Sequence, residues 1–349
     1  MNRLKLSLIL LTITFLTVVL AYAEPPSKQS SSNSNLECSD HSYVMSMQKE
    51  WINKPIKYEK WAEGADIAIV LDQHLYLALL PMIQKYAKDN KLKIEVREGT
   101  CGIAMGAINN KTIDIAGLCC PPANYDRLPG LRYQTLGIAA LAILINEQNP
   151  VNNVTTDQAK GLFNGKIKKW SELNKGADSE VQPIGRLHCK TRPGHWRLIL
   201  PTDNDFSLNL KEVGAIPDMV TEVSQDKSAV GFETVWSAKY YADRGKIKIL
   251  AINGYNPENG TSNLLSSGYP FYEVYDLTTW EGKIERNAKA QKLVEYILAN
   301  AENIDKHYLI LPAKYLKNAG WEFKDNEFLY KNLGTANQHE GATPAIHQR

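Results

Sequence analysis

The sequence predicts an α/β chain, with buried strands covered on both faces by helices. Two observations carry the prediction. Short uninterrupted apolar runs such as Ile67 to Leu71 alternate with amphipathic helical stretches from Ala65 onward. A continuous apolar run is what a strand buried on both faces presents. The order strand, helix, strand, helix, strand then repeats without a hairpin signal, and parallel strands need such crossover helices. A chain of 349 residues can bury a large core and suits two lobes.

The elements follow in order. Arg3 and Lys5 precede an uncharged apolar run, Leu6 to Leu20, and Ala21-Tyr22-Ala23 forms a small-x-small cleavage site. Residues 1–23 therefore read as a secretory signal, too short and wrongly flanked for a spanning helix, with the mature chain expected to begin at Glu24 in the periplasm or outside the cell. No cysteine follows the cleavage site directly, which argues against a lipid anchor. Residues 24–63 are expected to be an N-terminal extension, its Ser-, Asn- and Pro-rich first part a disordered lead-in. Ile67 to Leu71 is the first strand, and Asp72 can cap the helix marked by Leu75, Leu79, Ile83 and Tyr86. Leu92, Ile94 and Val96 alternate with charged residues as a second strand. Gly99-Thr100-Cys101-Gly102 is a tight loop before a helix bearing Ile103, Ala107 and Ile108, and Ile113 to Leu118 returns as a strand.

Leu141 to Ile145 is predicted as a buried strand and as the first crossing between lobes. Thr155 and Gln158 form a capping-box pattern, and Asn164-Gly165 supplies a left-handed stop. Val181 to Ile184, Ala229 to Phe232 and Ile247 to Ile252 read as strands, with an irregular segment from Gly185 to Trp196. Tyr269 to Thr278 suits a return crossing, and Leu293, Val294, Ile297 and Leu298 mark a late helix expected to pack on the first lobe. Residues 334–349 read as a flexible tail, in which His339 and His347 are too sparse for a metal site. The formal charge is +2, and Lys and Arg are mixed with Asp and Glu, so the pattern excludes a basic nucleic-acid face. No later apolar run reaches spanning length, so the mature chain is expected to be soluble, and it is expected to be monomeric.

Three segments carry a resemblance: GTCGIAMGAINNKTIDIAGLCCPP at 99–122, NPVNNVTTDQAKGLFNGKIKKWSEL at 149–173, and Ala229-Val230-Gly231-Phe232. Together with Tyr269-Pro270-Phe271 they resemble, in order and spacing, the phosphate-type periplasmic substrate-binding proteins of ABC importers. The run from Phe163 to Trp170 is the most specific piece. The resemblance implies the two-lobed type II binding-protein fold, each lobe a mostly parallel sheet flanked by helices. Lobe I would take 64–142 and return over 255–333, and lobe II would take 143–254. It also implies a small anionic solute, phosphate or a relative, held in the cleft and passed to an importer permease or a membrane sensor. No catalysis and no cofactor are required.

Residue by residue, the resemblance places Thr100, Cys101 and Gly102 in the loop where the family holds hydroxyl donors at a helix start. Cys119 falls where phosphate binders carry an Asp, and Arg186 at a ligand-facing Arg. Lys190 and Arg192 lie in a segment that replaces the family's Gly-Ser-Gly-Thr loop, and they complete the expected anion set. Sulfur and imidazole now stand where oxygen ligands are expected. Cys101, Cys119, Cys120 and Cys189, with His188 and His195, therefore form an alternative set for a soft ion such as Cu(I), Zn(II) or trivalent arsenic. Structural disulfides and free thiols remain open beside it, since an exported chain meets an oxidising compartment. Sulfur separations near ~2 Å would mark disulfides, and ~3.5–4 Å about a common centre would suit sulfur bonds of ~2.3 Å to a shared metal. A thiol enzyme using Cys189 with His188 or His195 is the third reading, and the chain lacks G-x-S-x-G, H-E-x-x-H and P-loop patterns, so no enzyme is expected. His41, His74 and His307 read as separate and structural or exposed, and Trp170 as a packing residue.

Overall fold

A computed structural model of the chain describes residues 43–122, 126–187, 195–260, 264–265 and 268–329. The expected signal at 1–23, the lead-in and the tail at 334–349 lie outside the described residues. The described chain opens with a short helix, α1 (Lys49–Ile52). Around it Trp51, Ile56, Tyr58 and Trp61 are partly buried against the first apolar core.

Strand β1 (Ile67–Asp72) is buried throughout, as a strand covered on both faces must be. Asp72 caps α2 (Gln73–Asn90) by accepting from the His74 N–H. β2 (Ile94–Gly99) follows, and the Thr100 hydroxyl caps α3 (Cys101–Asn109). β3 (Ile115–Leu118) leads to the Cys119-Cys120 turn. β4 (Leu131–Asn146) is a single strand of 16 residues. β5 (Asn153–Val154) precedes α4 (Thr156–Asn164), which carries the expected Thr155/Gln158 capping box and stops at Gly165 with φ 75°. β6 (Gln182–Gly185), β7 (Lys211–Glu212), α5 (Ile216–Gln225), β8 (Ala229–Thr234) and α6 (Val235–Tyr240) build the second half. β9 (Ile247–Ile249), β10 (Ala251–Ile252) and β11 (Tyr272–Trp280) precede α7 (Ala288–Ala299). β12 (Ile310–Pro312), α8 (Ala313–Asn318) and the hairpin of β13 (Phe323–Lys324) and β14 (Glu327–Phe328) close the described chain.

Ten strands form one sheet in the order β2-β1-β3-β11-β4-β8-β6-β7, with β9 and β12 also on β4. Pairing is parallel at both ends and antiparallel at the centre. β4 is the spine: Leu131 to Ala140 pair with β11, while Leu141 to Ile145 pair with β8. The predicted strand covered only the second half of this spine. Arg132, Gln134, Thr135 and Gly137 interrupt the apolar pattern of the first half, yet from Tyr133 onward the strand is buried, because β11, β12 and the packed helices cover it.

Two apolar cores result. One gathers β1, α2, α3, β3 and α7, and includes Leu293, Val294 and Ile297, so the late helix packs on the first half as expected. The other gathers α4, α5, β6 and β8 around Phe163, Trp170 and Phe232. Trp170 is a packing residue whose indole N–H donates to Ser228 O at 2.9 Å. Where β12 lies on β4, a Cβ at Gly137 would meet Leu311 O at 2.3 Å. Gly137→Val is therefore expected to unpair β12 and to cost about 1–3 kcal/mol, read by chemical denaturation. A midpoint equal to wild type would show that β12 is not held there.

Candidate functional site

Ligands of open α/β sheets meet the carboxyl ends of the strands, and here the ends of β1, β6 and β8 converge. β1 delivers Asp72, and the first turn of α2 delivers His74. β8 delivers Glu233, and Arg186 follows β6 directly. His74 Nδ1 lies 2.8 Å from Asp72 Oδ1, and His74 Nε2 lies 3.3 Å from Glu233 Oε2. Arg186 donates through one Nη1 to Glu233 Oε1 at 2.5 Å. Glu273 of β11 stands 3.9 Å from His74 Nδ1. The line Asp72–His74–Glu233–Arg186 thus stitches strand ends of one core to strand ends of the other, and its members are buried.

Burial alone would favour neutral imidazole, but the charges of Glu273 and Asp72 and the bonds to Asp72 and Glu233 outweigh it, so His74 is held well above its usual range. Burial likewise opposes ionised Asp72, yet His74 and then Arg186 pull its carboxyl below the usual value. For Glu273 burial leads, His74 opposes it only in part, Asp72 and Glu233 add to it, and its carboxyl is pushed up to about 8.

Sulfur adjoins this line. Cys101 is the first residue of α3, and its Sγ accepts from the Cys119 N–H at 3.0 Å. The Sγ atoms of Cys101 and Cys119 lie 2.9 Å apart, those of Cys101 and Cys120 3.5 Å, and those of Cys119 and Cys120 3.7 Å. All three are buried thiols. Burial leads in raising the Cys101 thiol, while for Cys119 the neighbouring thiols lead and burial follows, so both stay protonated at neutral pH. The Cys119 Sγ also lies within 4.8 Å of ligand atoms of Asp72 and His74.

The structure therefore brings together Cys101, Cys119 and Cys120, and joins Arg186 to them through Glu233, His74 and Asp72. Thr100 is half-buried and spends its hydroxyl on the Ile103 N–H at 3.3 Å, while Gly102 is exposed in the first turn of α3. His188, Cys189, Lys190 and Arg192 lie outside the described residues, as does the side chain of His195. Among the described cysteines no separation approaches the ~2 Å of a disulfide.

Two expectations change. His74 is not separate, since it sits at the centre of the cluster. Sulfur is also not alone there, because Asp72, Glu233 and Glu273 bring carboxylates from other strands beside it. Asp72 was legible only as a helix cap, and Glu233 and Glu273 carried no local signal. One clue existed: Asp72 and Glu233 each end a buried apolar run, where the strand-end rule points.

Comparisons with known proteins bear on the family and the fold. A family model described as a PBP superfamily domain matches residues 59–301. Protein SphX of Synechococcus elongatus is 27% identical over 270 residues, 70% of this chain and 77% of that protein. Phosphate-binding protein PstS of Bacillus subtilis is 22% identical over 239 residues, 65% of this chain and 73% of that one. An ABC-type phosphate transport receptor from Vibrio cholerae shares the fold, with a TM-score of 0.58 at 19% identity over 70% of this chain and all of that one. A strand-end cluster on a sheet of parallel flanks, and a family match over more than half of the length, lead to one conclusion: the chain belongs to the PBP superfamily, and its sequence resembles the phosphate-type substrate-binding proteins within it.

Proposed function

We propose that the chain is a non-enzymatic substrate-binding receptor that captures a small oxyanion, phosphate or a relative, between its two halves and presents it to an ABC importer. The observation that carries this reading is Arg186, a buried guanidinium at a strand end, paired with the Glu233 carboxylate. Its pair with Glu233 is the contact an oxyanion would take over. Arg186 and His74 offer donors, the positive end of the α3 dipole favours negative charge, and Glu233 or Asp72 can accept from the hydroxyl of hydrogen phosphate. The cluster is shut off from solvent, so the solute enters only when the halves part, with β4 and β11 as the strands that bend. The likeness to the phosphate-binding protein PstS supports phosphate as the first solute to try.

Thermal melting with and without phosphate tests this. Phosphate at about 100 times Kd is expected to stabilise the protein by about 2.7 kcal/mol. Arg186→Met is expected to abolish the shift. No shift in wild type, or an equal shift in Arg186→Met, would overturn the assignment. Association of phosphate-loaded protein with a reconstituted importer permease, and not with the unloaded form, tests the partner.

A further inference from the structure

We propose that Cys101, Cys119 and Cys120 form a three-sulfur site for a trivalent thiophilic metalloid of the arsenite class. This deepens the reading of the strand-end cluster as the solute site, and rests on it.

The geometry comes first. The three sulfurs converge from two rigid elements, the first turn of α3 and the end of β3, and the Cys119 N–H fixes Cys101 Sγ in place. Their edges are 2.9, 3.5 and 3.7 Å. A flat three-sulfur ion with bonds of about 2.3 Å needs edges of about 4.0 Å, longer than any of the three. A pyramidal centre, whose lone pair narrows the angles to near 95°, needs edges of about 3.4 Å with the same bond length. The observed triangle straddles that value. His74 and Asp72 also approach Cys119, but their mutual ion pair engages both, so sulfur is the available donor set.

Charge decides between ions that sulfur attracts. Among the described residues the carboxyls of Asp72, Glu233 and Glu273 already crowd this cluster, with Arg186 and His74 as the groups facing them. Three thiolates around Zn(II) would add one buried negative charge, and around Cu(I) two, next to carboxylates that cannot disperse them. A neutral metalloid trihydroxide adds none. Each of three thiols loses its proton to one hydroxide, three metalloid–oxygen bonds break, three metalloid–sulfur bonds form, and three waters leave. The oxidation state is unchanged, and protonated thiols are the reactants this step uses. Cys119 and Cys120 are neighbours in the chain, and a bond between them would be strained, so this pair does not readily close on itself.

The test uses full-length mature protein reduced under anaerobic conditions, with arsenite, Zn(II), Cu(I) and phosphate in separate arms. One arsenic per chain is expected to survive gel filtration, with three sulfur and no oxygen neighbours by X-ray absorption. Cys120→Ser is expected to weaken arsenite binding at least tenfold. Should that variant fail to fold, the wild-type absorption spectrum decides. Fewer than three sulfurs around arsenic, undiminished binding in a folded Cys120→Ser, or tighter binding of Zn(II) or Cu(I) overturns the proposal. A phosphate-induced shift without arsenite retention overturns it and leaves the oxyanion reading standing. Arsenite retention without a phosphate shift supports it and removes phosphate. Retention of neither overturns both.

Discussion

Raising the pH from about 6 to about 9 is expected to cost this protein several kcal/mol of folding stability, and Glu273→Gln is expected to remove much of the loss. Glu273 is fully buried, and its carboxyl is pushed from the ordinary 4.5 up to about 8, by burial first, with His74 opposing and Asp72 and Glu233 adding. The folded state therefore holds this proton more tightly than the unfolded chain. Such a group contributes its full stability below the unfolded value, and the contribution drains away as pH climbs towards 8 and beyond. At about 1.4 kcal/mol per pKa unit, the roughly two units between pH 6 and the folded value amount to about 3 kcal/mol. His74 acts in the same direction. Its folded value lies above the ordinary 6.5, so its contribution is complete below that value and is lost as pH rises through the folded one. Glutamine keeps the shape of protonated Glu273 and has no proton to lose, so the remaining slope belongs to His74. Denaturant titrations across this pH range read both slopes. A wild-type stability that stays flat or rises, or a Glu273→Gln slope equal to wild type, would contradict the charge assignment of the cluster.

Lys111→Met is expected to destabilise the fold by about 3–5 kcal/mol, the cost of stripping one partner from a buried pair. Lys111 is fully buried, and its Nζ lies 2.6 Å from Glu285 Oε1. The same ammonium donates to the carbonyls of Trp51, Ile52 and Lys54 at 2.6, 3.1 and 2.9 Å. It also sits 4.2 Å from the Trp51 ring centroid. One cation thus ties the α1 segment and the turn before α7 to the end of α3. Methionine fills the volume but leaves Glu285 charged and three carbonyls without their donor. Adding Glu285→Gln is expected to restore part of the loss, which marks the coupling between the two groups. Limited proteolysis is expected to open residues 43–57 in the single variant. A single variant as stable as wild type would show that apolar contacts alone hold the segment.

Local chemistry was written plainly in the chain. The buried run of β1, the Asp72 cap, the Thr155/Gln158 box and the Gly165 stop each depend on neighbours a few residues away, so each appears in the sequence as a pattern. The segments at 99–122 and 149–173 carried the fold class for the same reason: they hold whole strand, turn and helix units. The convergence of Cys101 with Cys119 and Cys120 followed from those units, because α3 starts and β3 ends on the same side of the sheet.

What the sequence by itself determined, then, is the α/β class, the order of its elements, the family and, through the family resemblance, the approach of Cys101 to Cys119 and Cys120, while Cys189, expected with them, lies outside the described residues. Only the tertiary structure decided that β4 runs unbroken through both halves, that His74 lies between Asp72 and Glu233, and that Arg186 is held by a carboxylate 47 residues away. The reason is distance along the chain. A cap or a capping box is closed by adjacent residues and leaves a signature, whereas a buried ion pair is closed by strands that meet only once the sheet has formed, and neither partner alone announces the other.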